Sequence, residues 1–363
     1  MEFRVRIGFV LLMIASVTLT VHAQASAAKD PDTSRVANLL PRLDSSDAGR
    51  FPDPALNVSA PASEEPRAPD IKSVQNLLRT GVASLDARHY KDAMASFEAA
   101  RQLAPNSSVV HRWLGYSYLA LDDYENSAKS FERAVSLGAN SGADGQSLGL
   151  AYLRLKKPEQ AILPLQEATR LEPENAINHY LLALAYDGAD RLDDAAGHYL
   201  RSLTLNPKDH RSYFSLATIY AEQNRTEDAI GLLKKAIQLK SDFGEAYLAL
   251  ANILSSKGSY KDAVTNYDSA IKLDPQNPIA RNNLGVAYVN LGKNKEGLAA
   301  FKSAATLGPQ DGRIHVNLAR AYLRAGNKDA ALAEYGMLKK IDSALAETVY
   351  DEIFHQRILK ARY

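Results

Sequence analysis

LGVAYVNLGKNKEGLAAFKSAATLGP, residues 284–309, decides how this chain folds. Arg281, Leu284, Gly285 and Tyr288 fall on one side of a helix, because steps of three and four residues stack at 3.6 residues per turn. Gly297, Phe301 and Ala304 do the same on a second helix. The small residues Gly285 and Gly297 let the two helices approach closely, and the aromatics Tyr288 and Phe301 fill the volume that remains. Pro309 then stops the second helix, since it has no N–H to donate to the next turn.

The same arrangement recurs on both sides with a period of 34 residues, from Val74 to Leu345, without insertion or deletion. Counting Val74 as position 1, the units span 74–107, 108–141, 142–175, 176–209, 210–243, 244–277, 278–311 and 312–345. Position 7 is Leu in every unit except the first, which has Thr80. Position 8 is only Gly or Ala, from Gly81 to Ala319, and position 20 is Ala, Ser or Gly. Position 11 is Tyr in six units, and position 24 is Phe, Tyr or Leu throughout. Proline stands at position 32 as Pro105, Pro173, Pro207, Pro275 and Pro309.

This pattern resembles the tetratricopeptide repeat (TPR) family. The resemblance implies an all-α TPR solenoid: a right-handed superhelix of eight helix-turn-helix repeats over residues 74–345. Each hairpin leaves an apolar side open until the next one stacks on it. Residues 346–363 are expected to form a C-terminal capping helix, with Val349, Ile353 and Ile358 broadly along one side. One irregularity stands inside the array. Pro158 suits the start of a second helix, but Pro164 lies about six residues further in, and a kink or a displaced helix is expected there.

Ahead of the repeats, Met1 to Ala25 has the parts of an export signal in order. Arg4 and Arg6 are followed by the uncharged apolar run Ile7 to Val21, then by Val21-His22-Ala23 and Ala23-Gln24-Ala25, either of which fits cleavage. The alternative is an uncleaved anchor. Fifteen residues at about 1.5 Å each reach roughly 22 Å, short of a roughly 30 Å hydrocarbon core. Residues 26–73 hold seven prolines, from Pro31 to Pro69, and read as a Pro-rich disordered linker. The short apolar motif Val36-Ala37-Asn38-Leu39-Leu40 within it reads as a stray helical turn. The expected location is exported, periplasmic or secreted.

Composition narrows the chemistry. The 363 residues include 43 Lys and Arg against 42 Asp and Glu, a net charge of +1, which opposes a role in binding nucleic acid. Losing residues 1–25 removes Arg4, Arg6 and Glu2 and leaves the charge balanced. The absence of Cys excludes disulfides, thiolate metal sites, a Cys nucleophile and a lipidated N-terminal Cys. No motif for a metalloprotease, a dinucleotide, a P-loop or a serine hydrolase occurs. His111, His179 and His315 share position 4, but they lie in repeats two, four and eight, too far apart for one ion, and are expected to fill packing slots. Asp122/Asp123 and Asp193/Asp194 are expected to cap second helices. No catalytic residue, cofactor or metal is expected.

What remains is the face that lines the inner groove in TPR folds, positions 2, 5, 9 and 12. Repeats two to five offer Tyr116, Leu150, Tyr180, Leu184 and Phe214. Repeats six to eight offer Asn252, Asn282 and Arg320, with Asn283 and Asn317 at the adjoining position 6. Asparagine amides both donate to and accept from a peptide backbone, and Arg grips a carboxylate with two parallel bonds. Asn283-Leu284-Gly285 and Asn317-Leu318-Ala319 are similar to the asparagine ladder of superhelical TPR proteins that bind peptide backbones. The resulting expectation is a non-catalytic scaffold that binds extended segments of other proteins in an envelope, secretion or polymer-export assembly. A lumenal co-chaperone and an enzyme with a groove site are the alternatives. N-terminal sequencing of the protein recovered from the cell envelope should begin at Gln24 or Ser26, and a protein that retains Met1 rejects the cleaved signal.

Overall fold

A computed structural model describes residues 71–360, with side chains through Phe354. The expected signal and most of the linker lie outside the described residues. Those that are described form seventeen helices and no strand. They divide into two units, one ending at Lys208 and the other beginning at Asp209.

The first unit holds four hairpins: α1 (Ile71–Asp86) with α2 (Tyr90–Leu103), α3 (Ser108–Ala120) with α4 (Tyr124–Ser136), α5 (Gly142–Arg154) with α6 (Pro158–Leu171), and α7 (Ala176–Gly188) with α8 (Leu192–Leu205). In the second unit, α9 (His210–Glu222) pairs with α10 (Thr226–Leu239), α11 (Gly244–Ser256) with α12 (Tyr260–Leu273), α13 (Pro278–Asn290) with α14 (Asn294–Leu307), and α15 (Gly312–Arg324) with α16 (Lys328–Ile341). From α3 onward every first helix starts at position 1, and every second helix starts at position 17. The period read from the sequence is therefore the period of the helices.

Close approach at positions 8 and 24 explains the small residues. A Cβ added to Gly81 would stand 2.4 Å from the Phe97 ring, one on Gly149 2.3 Å from Leu165, and one on Gly285 2.7 Å from Phe301. Where position 8 is Gly, the aromatic or leucine of the second helix thus lies against bare backbone of the first, and Phe97 and Phe131 are fully buried. Ser127 at position 20 keeps the contact and adds a bond, its Oγ donating to the Gly115 carbonyl at 2.9 Å.

Two polar links between neighbouring repeats accompany this packing. At position 4, the Nε2 of His111, His179 and His315 donates to the carbonyls of Pro105, Pro173 and Pro309 at 2.8–3.0 Å. Arg281 does the same to Pro275 at 2.8 Å. The three histidines are buried as expected, and each is also hydrogen-bonded to the loop before its helix. At position 11, the Tyr118 hydroxyl donates to Glu98 and that of Tyr152 to Glu132, while Tyr186 accepts from Gln166. Burial, then the bond to Glu132, pushes the Tyr152 phenol up to about 12.

Pro164 does not displace its helix: α6 keeps the length and register of its counterparts. The accommodation lies opposite, at position 4 of the same repeat. There Gly145 replaces the large residue, and a Cβ on it would come within 2.6 Å of the Pro164 carbonyl oxygen. The acidic pairs divide. Asp123 caps α4 by accepting from the Asn126 N–H at 3.2 Å. Asp193 and Asp194 instead lie inside the first turn of α8, where Asp194 pairs with Arg191 at 2.7 Å.

The capping helix α17 (Ser343–Lys360) starts three residues before the expected boundary. Its Ala346, Val349 and Ile353 are buried against Val316, Ala319 and Leu338, closing the apolar side of the last hairpin.

Each turn between paired helices passes through the left-handed region at position 15. The first five use Arg88, Asp122, Lys156, Asp190 and Asn224, with φ of 58–61°, and the last three use Gly258, Gly292 and Gly326, with φ of 75–79°. A side chain in this region costs about 1–2 kcal/mol. Lys156→Gly should therefore raise stability by up to about 1 kcal/mol and Gly292→Ala should lower it by about as much, measured by urea unfolding.

Candidate functional site

In the second unit, four asparagines on three successive first helices form one chain of amides. Asn317 Nδ2 donates to Asn282 Oδ1 at 2.9 Å, and Asn282 Nδ2 to Asn283 Oδ1 at 3.2 Å. Asn283 Nδ2 then donates to Asn252 Oδ1 at 3.0 Å, and the same oxygen accepts the Tyr267 hydroxyl at 2.8 Å. Asn252 and Asn283 are buried, whereas Asn282 and Asn317 are half-buried. Burial pushes the Tyr267 phenol well above its ordinary range and keeps it a donor. Four of the expected groove asparagines are thus brought together, but Asn252 and Asn283 serve the interior. Adjacent first helices come close enough for their amides to satisfy one another before any ligand does.

Arg320 is engaged as well. Its Nη2 donates to Glu352 Oε1 at 2.7 Å and its Nε to the same oxygen at 3.0 Å, so the carboxylate it grips belongs to α17. Phe214, half-buried, packs against Phe243 with ring centroids 5.1 Å apart.

The first unit differs from the groove reading at three positions. Tyr116 is buried between Trp113 and Phe131, with ring centroids 5.7 and 5.0 Å away, and Leu150 and Tyr180 are buried too. Only Leu184 of the four expected residues stays half-buried. Beside Tyr116 lies a polar cluster that the residue spacing did not single out. Asp144, 1% exposed in the first turn of α5, has Oδ1 2.8 Å from Arg112 Nε on α3. Burial, then the Asp144 charge, raises the Tyr116 phenol far above its usual range. The pair joins position 5 of one repeat to position 3 of the next, and reading those positions as partners would have found it.

Among the described residues no three His, Asp or Glu side chains gather to hold a metal ion, and no helix is long and apolar enough to cross a membrane. What this arrangement offers is a surface of amides, aromatics and paired charges on stacked helical hairpins, the make-up of a repeat protein that meets other proteins.

Comparison with known proteins agrees with that class. Residues 53–277, more than half of the chain, match the family described as the cilia and flagella-associated protein 70 C-terminal domain. Tetratricopeptide repeat models match residues 248–312 and 291–344. The chain belongs to the tetratricopeptide repeat family. No curated protein sequence matches it significantly. Among solved structures, pilF of Pseudomonas aeruginosa is similar at 20% identity and a TM-score of 0.52, over 58% of this chain and 97% of that one. A chain of the APC/C hetero-tetramer Cut9-Hcn1 is similar at 16% identity and a TM-score of 0.52, over 78% and 56%. YrrB, a TPR protein with an unusual peptide-binding site, aligns at 20% identity and a TM-score of 0.46, over 49% and 92%. At these identities the likeness concerns the fold alone.

The amide chain has a graded energetic signature. Asn252→Ala removes a buried acceptor shared by two donors and should cost about 1–3 kcal/mol. Asn317→Ala removes only the half-buried end and should cost less than about 1 kcal/mol. Urea unfolding followed by helicity measures both, and equal costs would contradict an interior role for Asn252.

Proposed function

We propose that this chain is an exported, non-catalytic scaffold that holds extended segments of partner proteins on the faces of its first helices. The TPR fold is in general a protein-interaction fold, and its family is generally non-catalytic. The observation that carries the finer reading is the pair Asn282 and Asn317, half-buried on consecutive repeats. Their amides are already held in place by the buried chain behind them, so little side-chain entropy is lost when a peptide backbone bonds to them. In the second unit Phe214, two repeats before Asn282, adds a half-buried apolar position on α9. In the first unit Leu184, at position 9, is a half-buried apolar position. Balanced charge suits recognition by short-range contacts rather than long-range attraction.

The residues that carry the test are a subset of those chosen by spacing. Asn283 is interior and Arg320 already holds Glu352, so Asn282, Asn317 and Phe214 remain to carry it. The triple alanine variant should recover at least about tenfold less partner from an envelope extract, as expected for the loss of two hydrogen bonds and an apolar contact. Recovery is read by quantitative mass spectrometry beside the wild type, with helicity as a control. Equal recovery from a folded variant rejects the assignment.

A further inference from the structure

Positions 4 and 23 face each other across a hairpin, and the pair at α7 and α8 is unlike its counterpart at α15 and α16. His315 and Glu334 occupy these positions in the last repeat, with Nδ1 2.6 Å from Oε2. His315 Nε2 also donates to Pro309, so both ring nitrogens have acceptors and a doubly protonated ring is fully satisfied. In the fourth repeat the same positions hold His179 and His198, whose Nδ1 atoms lie 3.0 Å apart. His179 Nε2 donates to the Pro173 carbonyl, which leaves its Nδ1 as the acceptor and makes His198 Nδ1 the donor.

We propose that the α7–α8 hairpin is an acid-sensitive joint, closed by a His179–His198 pair that cannot take up all the protons it takes up when open. A proton on both Nδ1 atoms would set two N–H groups head to head at 3.0 Å, so the closed pair has room for one proton fewer than the open one.

The surroundings act in the same direction. The His198 ring stacks on Tyr186 with centroids 5.6 Å apart, and the Tyr186 hydroxyl is held by the neutral Gln166 of α6. Burial, then the neighbouring His179, holds His198 below the ordinary imidazole value. Asp194, one turn before His198, pulls the other way, but its carboxylate is engaged by Arg191, which lies 4.4 Å over the Tyr186 ring. On α6, Glu167 and Arg170 pair with each other at 2.6 Å. In the loop and turn before α7, Glu172 is held by Asn175 and Asn178, and Glu174 pairs with Arg201 of α8.

The sign follows from linkage. An imidazole whose folded value is depressed contributes stability that is complete above about pH 6.5 and is lost as pH falls below it, because the open state binds the proton that the closed state refuses. One refused proton raises the opening equilibrium about tenfold between pH 7.5 and 5.5. Opening would release α8 from the helix that carries Leu184.

The last repeat supplies the control substitution. His198→Glu reproduces the His315–Glu334 pair at the same positions, and His198→Gln offers His179 a neutral donor. Hydrogen exchange of the full chain at pH 7.5 and 5.5, corrected for intrinsic rates, reads opening in residues 192–205 against 260–273. Wild type should lose about tenfold protection in 192–205 at the lower pH, relative to 260–273. Both variants should lose several-fold less. Unchanged wild-type protection, or a full loss retained in either folded variant, overturns the proposal.

Discussion

Every hairpin in this chain depends on one contact, a large side chain at position 24 laid against the backbone of a glycine or alanine at position 8. The distances at Gly81, Gly149 and Gly285 leave no room for a Cβ unless the opposing side chain moves. That constraint sets the spacing of the two helices, and the spacing fixes which neighbours meet across the next repeat. The position-4 links to the proline carbonyls, and the tyrosines reaching back to Glu98 and Glu132, all presuppose it. Positions 7, 11 and 20 vary little beside it, and the variety between repeats falls at the remaining positions.

The fold was legible for the same reason. Small and large residues at a fixed period reveal the helical hairpins directly, and from α3 onward the first helices all start at position 1 and the second at position 17. The site was less legible. Asn252, Asn282, Asn283 and Asn317 were recognisable as polar residues on one face, yet their availability depends on how near successive first helices lie. A face assigned by period alone cannot distinguish an amide that meets solvent from one that meets its neighbour. Arg320 illustrates a second difficulty. Its partner Glu352 comes from α17, a helix outside the repeat, so no periodic argument points to it.

The pairs at positions 4 and 23 form a third case, in which the information was present but distributed. Gly145 opposite Pro164, His179 opposite His198 and His315 opposite Glu334 are three solutions of one contact. Taken singly, a proline inside a helix looks like a defect and a histidine looks like filler. Taken as facing residues, each explains the identity of the other. Position 23 has no common residue type across the repeats, and only the partner across the hairpin gives it meaning.

The amide chain from Asn317 to Asn252 spans three hairpins through bonds that join residues up to 35 apart in sequence. A solenoid whose units touch only their neighbours is free to fray from an end, one unit at a time. Here, detaching the last hairpin leaves Asn282 Oδ1 without its donor, and detaching the next strips Asn252 Oδ1 of one of its two. Fraying from the C-terminal end is therefore taxed at each step, and the three hairpins are coupled into a larger cooperative block than a simple stack of independent units would form.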